Sequence, residues 1–133
     1  MNRRNFLACS SSLALSSDML FAEELSFNGR IKKAVKFGKK PDEILMNKIV
    51  DLGFDGIEGS APGLQVHEMK KVCQEMNLPM HGVVYNKHWK VRLSDPDPQV
   101  RRESRLGLAQ AMKESKGVGG TSVLLVPGRV KDC

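Results

Sequence analysis

A parallel α/β fold is what this sequence predicts, and three observations predict it. Four apolar runs, at residues 31–37, 54–57, 79–85 and 121–126, recur along its 133 residues. Three segments with helical periodicity separate them, and strands that alternate with helices pair in parallel because a parallel connection needs a long crossover. The last run is continuously apolar or β-branched, the composition of a strand covered on both faces.

Residues 23–30 are a polar lead-in with a turn at Asn28-Gly29. In the first strand Ile31, Val35 and Phe37 alternate with Lys32, Ala34 and Lys36, and Gly38 breaks the run. Pro41 then opens a helix, being preorganised for the first turn, while Asp42 and Glu43 complement the positive end of the helix dipole. Its buried stripe is expected at Leu45, Ile49 and Leu52, widened by Met46 and Val50, and Gly53 ends it as a left-handed cap. Residues 54–58 form a short second strand that stops at the carboxylate of Glu58, before Gly59-Ser60. A second helix, residues 64–76, carries Val66, Met69, Val72, Cys73 and Met76 on one face. Asn77 closes it and Pro79 prevents its continuation. The third strand, residues 80–85, leads into a polar loop that reaches Pro98. Asp97-Pro98 starts a third helix with a buried stripe of Val100, Ser104, Leu108, Ala111 and Ser115. Gly107, near this stripe, allows close helix–strand packing at a propensity cost of about 1 kcal/mol. Gly117, Gly119 and Gly120 end the helix before the final run.

About four strands and three helices are half of a closed eight-stranded barrel, which takes about 250 residues. The expected architecture is therefore a parallel (β/α) barrel of the TIM type, incomplete, over residues 29–133. Its outer strands would have open edges, which invite pairing with other chains. Self-association, partial order or aggregation is the expected behaviour of the chain alone.

Residues 1–22 read as a twin-arginine-type export signal: Arg3 and Arg4, then Asn5-Phe6-Leu7, then a moderately apolar stretch. Ala22 offers a cleavage position, although Leu20 at the −3 place is not small. Serines at 10–12 and 16–17 dilute the stretch too far for a membrane span of about 20 apolar residues. The bland alternative is a Ser-rich tail with two chance arginines. Export would deliver the chain to the periplasm and leave 19 basic against 14 acidic residues. The net charge of +6 suits an anionic partner, but the lysines and arginines are dispersed and aromatics are only 5% of the chain. A nucleic-acid groove would interleave bases with aromatic platforms, so no nucleic-acid partner is expected. Cys9, Cys73 and Cys133 form no disulfide framework, and nothing has zinc-ligand spacing or a partnered nucleophile.

Three strings carry a family resemblance: LGFDGIE at 52–58, HGVVYNKHWKVRLSDPDPQVRRES at 81–104 and GGTSVLLVPG at 119–128. They resemble the N-terminal part of sugar phosphate isomerase/epimerase proteins with the xylose-isomerase-like barrel. The subgroup they most resemble is hydroxypyruvate-isomerase-like, some members of which carry twin-arginine leaders. The resemblance covers roughly residues 29–130 and is densest from Tyr85 to Pro98. It implies metal-assisted aldose–ketose isomerisation or epimerisation of a small hydroxy-carbonyl compound such as hydroxypyruvate. In the family, two glutamates on later strands flank a divalent metal (Mg, Mn or Zn) and shuttle a proton between adjacent carbons, while the metal stabilises the enediolate. None of those later strands is in this sequence, so no catalytic residue or metal ligand carries over. The chain alone is expected to be inactive and to bind no metal.

Barrels of this type build their sites at the C-terminal ends of the strands, which singles out Glu58, His88 and Trp89 as substrate-binding. Glu58 would hydrogen-bond substrate hydroxyls or order the site from behind; otherwise it is an ordinary polar strand end. His88 would donate to a substrate oxygen while Trp89 walls the pocket against water; otherwise both are loop packing. His81, nearer the start of its strand, reads as structural packing, and His67 as helix surface. Lys87, Lys90 and Arg92 place positive charge near the mouth, either to attract an anionic substrate or for solubility. Two other readings compete. A repair endonuclease of the same barrel superfamily would need histidines clustered on several strands, whereas only three exist here and His67 is on a helix. A non-catalytic exported sugar-binding module would need a self-sufficient sheet, which open edges oppose.

Overall fold

The structure, a computed structural model, describes residues 31–128; the expected export signal at residues 1–22, with Arg3 and Arg4, lies outside the described residues. Seven elements follow in order: β1 (Ala34–Lys36), α1 (Glu43–Asp51), β2 (Gly56–Ala61), α2 (Val66–Glu75), β3 (Met80–Tyr85), α3 (Pro98–Gly117) and β4 (Ser122–Leu124). The strands form one parallel sheet in the order β1-β2-β3-β4. Lys36 lies beside Glu58, Glu58 beside Gly82 and Gly82 beside Ser122. A register shift after Ile57 leaves His81 unmatched.

One core unites all three helices with the sheet. Met46 and Ile49 of α1, Met69 and Cys73 of α2 and Ala111 of α3 share a buried cluster with Ile57, Ala61, Val83 and Tyr85. The helices therefore cover the same sheet face, as right-handed crossovers that always step in one direction require. Fully burying a side chain such as Met46 or Ile57 contributes about 1.5–3 kcal/mol. The alternate positions, Lys36, Glu58, Ser60, Val84 and Leu124, belong to the other face, which no helix covers among the described residues.

Local signals hold where the stabilising bonds are local. Asp97 caps α3, its side chain accepting from the Gln99 N–H at 2.7 Å, with Pro98 in the first turn. Gly53 and Asn77 end α1 and α2 at φ 71° and 50°. Cys73 is buried, and that burial pushes its thiol up, as suits an inert core residue. Among the described residues no helix is long and apolar enough to cross a membrane.

Five expectations need correction. β1 starts at Ala34, not Ile31, because the Asp55 carboxylate takes the Lys33 N–H at 2.8 Å where a ladder bond would otherwise form. That bond, ahead of the Lys32 and Lys33 charges, holds the Asp55 carboxyl below its usual value. The cap of α1 is Asp42, which leaves Pro41 outside the helix. Its buried stripe is Met46 and Ile49 alone; Leu45, Val50 and Leu52 are exposed, because this short helix meets the sheet along one ridge. β2 continues three residues past Glu58 to Ala61. Gly59 therefore lies inside the strand, where a Cβ would stand 2.6 Å from the Met80 sulfur and 3.4 Å from Leu64, so a larger residue would have to displace the Met80 side chain. β4 is covered on one face only, with Leu124 46% exposed.

Candidate functional site

The C-terminal ends of β1, β2 and β3 are tied together by short bonds. The Phe37 N–H donates to the Glu58 carbonyl at 2.7 Å and the Ser60 N–H to the Gly38 carbonyl at 3.2 Å, which keeps the exit of β1 alongside β2. After β2 the chain turns through a cis Ala61–Pro62 peptide and Gly63. Glu114, reaching from α3, holds this turn: its carboxylate accepts from Gly63 N–H at 2.9 Å and Leu64 N–H at 3.0 Å, and from the Gln110 amide at 2.9 Å. The exit of β3 folds back over β2. Asn86 donates its backbone N–H to Ala61 O at 2.7 Å and its side-chain amide to Ser60 Oγ at 3.2 Å and Pro62 O at 3.1 Å.

That fold-back places His88. Its ring is 5% exposed and meets Tyr85 and Trp89 edge-on, at centroid distances of 6.3 and 4.9 Å. Nδ1 is enclosed and has no partner among the described residues. A proton on Nδ1 would be an enclosed donor without an acceptor, so we assign the neutral tautomer with hydrogen on Nε2. Burial first, and the Lys36 ammonium second, push the imidazole below its usual value of 6.5. An unfolded chain takes up that proton near pH 6.5, the folded one only at lower pH. Between the two values the unfolded state holds more protons, so acidification favours unfolding. Stability is expected to fall as pH drops below about 6.5, and His88→Gln to flatten the slope between pH 7 and 5.5. Urea midpoints of both proteins measure this; equal slopes would refute it.

The other predicted residues are distributed as follows. Glu58 is half-buried in the middle of β2 on the open face, not at the strand end, and makes no ion pair among the described residues. Trp89 is 57% exposed and shields the edge of the His88 ring. His81 is exposed, its carbonyl accepting from the Thr121 N–H at 2.8 Å; it lines a cavity with Lys33 and Asp55 at the opposite end of the strands. His67 is an exposed α2 residue. Lys87 pairs with Glu103 and Arg92 with Asp95, both at 3.3 Å, so two of the three mouth cations are already matched.

Sequence reasoning missed Lys36, Asn86 and Glu114. Lys36 looked like one of many surface lysines, and only the register places it beside Glu58. Glu114 left a trace: it is an acid adjoining the small-residue stripe of Ala111 and Ser115. The described residues do not fit the divalent metal that the resemblance implies, since nowhere do three His, Cys, Asp or Glu side chains gather. Compared with known proteins, the chain matches no family model and no curated protein.

Proposed function

We propose that this chain is an exported, periplasmic member of the sugar isomerase/epimerase class and that it supplies the substrate-binding part of a closed TIM-type (β/α) barrel. One observation carries the reading: Glu58 and Lys36 sit in register on a sheet face without helices, under a strand exit that delivers the neutral His88. A strictly sequential parallel order with all helices on one side is what a closed barrel needs, whereas doubly wound sheets carry helices on both. In such a barrel the open face becomes the interior and the open edges of β1 and β4 find strands to pair with. The free chain is accordingly expected to self-associate, which light scattering reads.

Isomerisation of a hydroxy-carbonyl compound removes the proton beside the carbonyl, passes through an enediolate and returns a proton to the neighbouring carbon. A divalent metal, when bound, polarises the carbonyl; no step here is assigned to it. The share of this chain is recognition. Glu58 accepts from a substrate hydroxyl, and His88, held neutral, donates from Nε2 to the carbonyl oxygen, where charge develops. The test is NMR titration of the full chain with dihydroxyacetone or hydroxypyruvate. The His88 ring signals are expected to shift, with Glu58→Ala, and His88→Ala read from backbone amide signals, each weakening binding about threefold to tenfold. No perturbation by either compound would overturn the reading. Rapid deuterium incorporation into substrate carbon by the chain alone would overturn the assignment to recognition only.

A further inference from the structure

We infer that the cavity at the strand entrances, at the opposite end of the sheet from His88, binds a small organic monoanion. The cavity measures 690 Å³ and is shaped by three neighbouring segments: residues 32–34 leading into β1, 54–56 into β2 and 77–81 into β3. Small-molecule sites are concave, about 300–1,000 Å³, largely apolar and fixed by a few convergent polar groups. This one sets Phe54 and Pro79 beside Lys32, Lys33, Asp55 and His81. None of these residues has a part in the recognition role proposed above, so the inference stands independently of that reading.

Local structure keeps the space open and sets its charge. A Cβ at Gly56 would stand 2.6 Å from Pro79 O, so the entrance of β2 holds no side chain and the floor stays recessed. At the register shift after Ile57, Glu58 pairs with Gly82 and His81 is skipped in the pairing with β2. Such a bulge re-aims a side chain out of the regular alternation, and His81 joins the cavity wall across β2 from the lysines. Neighbouring strands lie about 4.8 Å apart, so walls on β1 and β3 are separated by about 10 Å. That admits one flat ring. Asp55 is engaged by the lysine wall: Oδ2 accepts the Lys33 N–H at 2.8 Å, and Oδ1 stands 3.5 Å from the Lys32 ammonium. Two ammoniums against one carboxylate leave a single positive charge, which a monoanion matches and a cation would oppose. A divalent metal would find only Asp55 and His81 as side-chain ligands of its usual kind. On the far wall the Asn77 amide and His81 offer neutral hydrogen bonds, while Phe54 and Pro79 cover the apolar body of the ligand.

Three probes separate the outcomes: benzoate, benzamide (the same ring without the charge) and acetate (the charge without the ring). Each is titrated into the full chain, with the His81 ring resonances as readout and those of His88 as the control at the other end. Benzoate is expected to shift His81, to leave His88 in place and to bind about tenfold tighter than either of the others. Added salt should weaken benzoate binding and spare benzamide. The double variant Lys32→Met, Lys33→Met should reduce benzoate to the affinity of benzamide. Both lysines are exposed, and the Lys33 N–H that Asp55 holds belongs to the backbone, so the fold is retained. Equal binding of benzoate and benzamide, or an undiminished preference in the double variant, overturns the inference. Acetate binding as tightly as benzoate overturns the organic ligand, because the apolar walls would then contribute nothing. Absence of any His81 shift, or shifts confined to His88, overturns the site outright and leaves the proposed role of His88 untouched.

Discussion

Glu114→Ala is expected to destabilise the chain by about 4 kcal/mol, the larger effect of any charged-residue change described above. Two backbone N–H groups, of Gly63 and Leu64, lose their only acceptor, and each such orphan costs about 1–3 kcal/mol when enclosed. The missing side chain also leaves a void beside Ala111 and Ser115, which are buried on the same helix. For a unit of this size about 4 kcal/mol is a fall of more than 15 °C in Tm. Glu114→Gln keeps the volume and one accepting oxygen, so about 1–2 kcal/mol is expected. Trp89, the single tryptophan, reports both by fluorescence in urea titrations. A loss below about 1 kcal/mol for the alanine variant would show that the turn holds without the carboxylate. Because Asn86 leans on the same turn through Pro62 O, the alanine variant should also loosen the segment that carries His88.

Tyr85→Ala should cost about 3–5 kcal/mol, as expected for removal of a fully buried aromatic side chain. The high end is favoured by what faces it. Gly107 approaches so closely that a Cβ there would stand 2.7 Å from the tyrosine oxygen and 3.2 Å from its ring. A glycine has no side chain with which to fill the space, so the cavity cannot close by repacking from that side. Tyr85→Phe is the contrast: its hydroxyl makes one long bond, 3.3 Å to Ser104 O, and its loss costs about 1 kcal/mol. A double-mutant cycle gives an independent check. Gly107→Ala alone should destabilise by pressing on the ring, but should stabilise the Tyr85→Ala background, where the methyl enters the void and the helix gains propensity. Additive effects of the two changes would contradict close packing of α3 on β3.

How much was legible in the sequence depends on how far apart the interacting residues lie. The limits of β3 and the start of α3 were readable because a glycine, a proline or a capping aspartate acts within a few residues of its own position. The phase of α1 was not: Leu45 and Leu52 carry the same apolar signal as Met46 and Ile49, and only the contact with the sheet separates them. The end of β2 was placed too early, before Gly59, for a related reason. Glycine marks a turn when the backbone needs freedom and a strand interior when a neighbour needs space, and that neighbour, Met80, lies on another strand. Of the candidate site, His88 and Trp89 could be singled out because they share a loop with the densest stretch of the resemblance. Lys36 and Glu114 act across 52 and 51 positions of sequence, so no local pattern contains them.

The chain's own order of residues determined the alternation of strands and helices, the parallel pairing and most element ends, because these follow from side-chain periodicity and from bonds within a few residues. The tertiary structure alone decided which sheet face is left without helices among the described residues, which loop cations find carboxylates and which acid is buried under a turn. Burial and charge pairing are properties of neighbours brought together by the crossovers, and those neighbours are far apart along the chain.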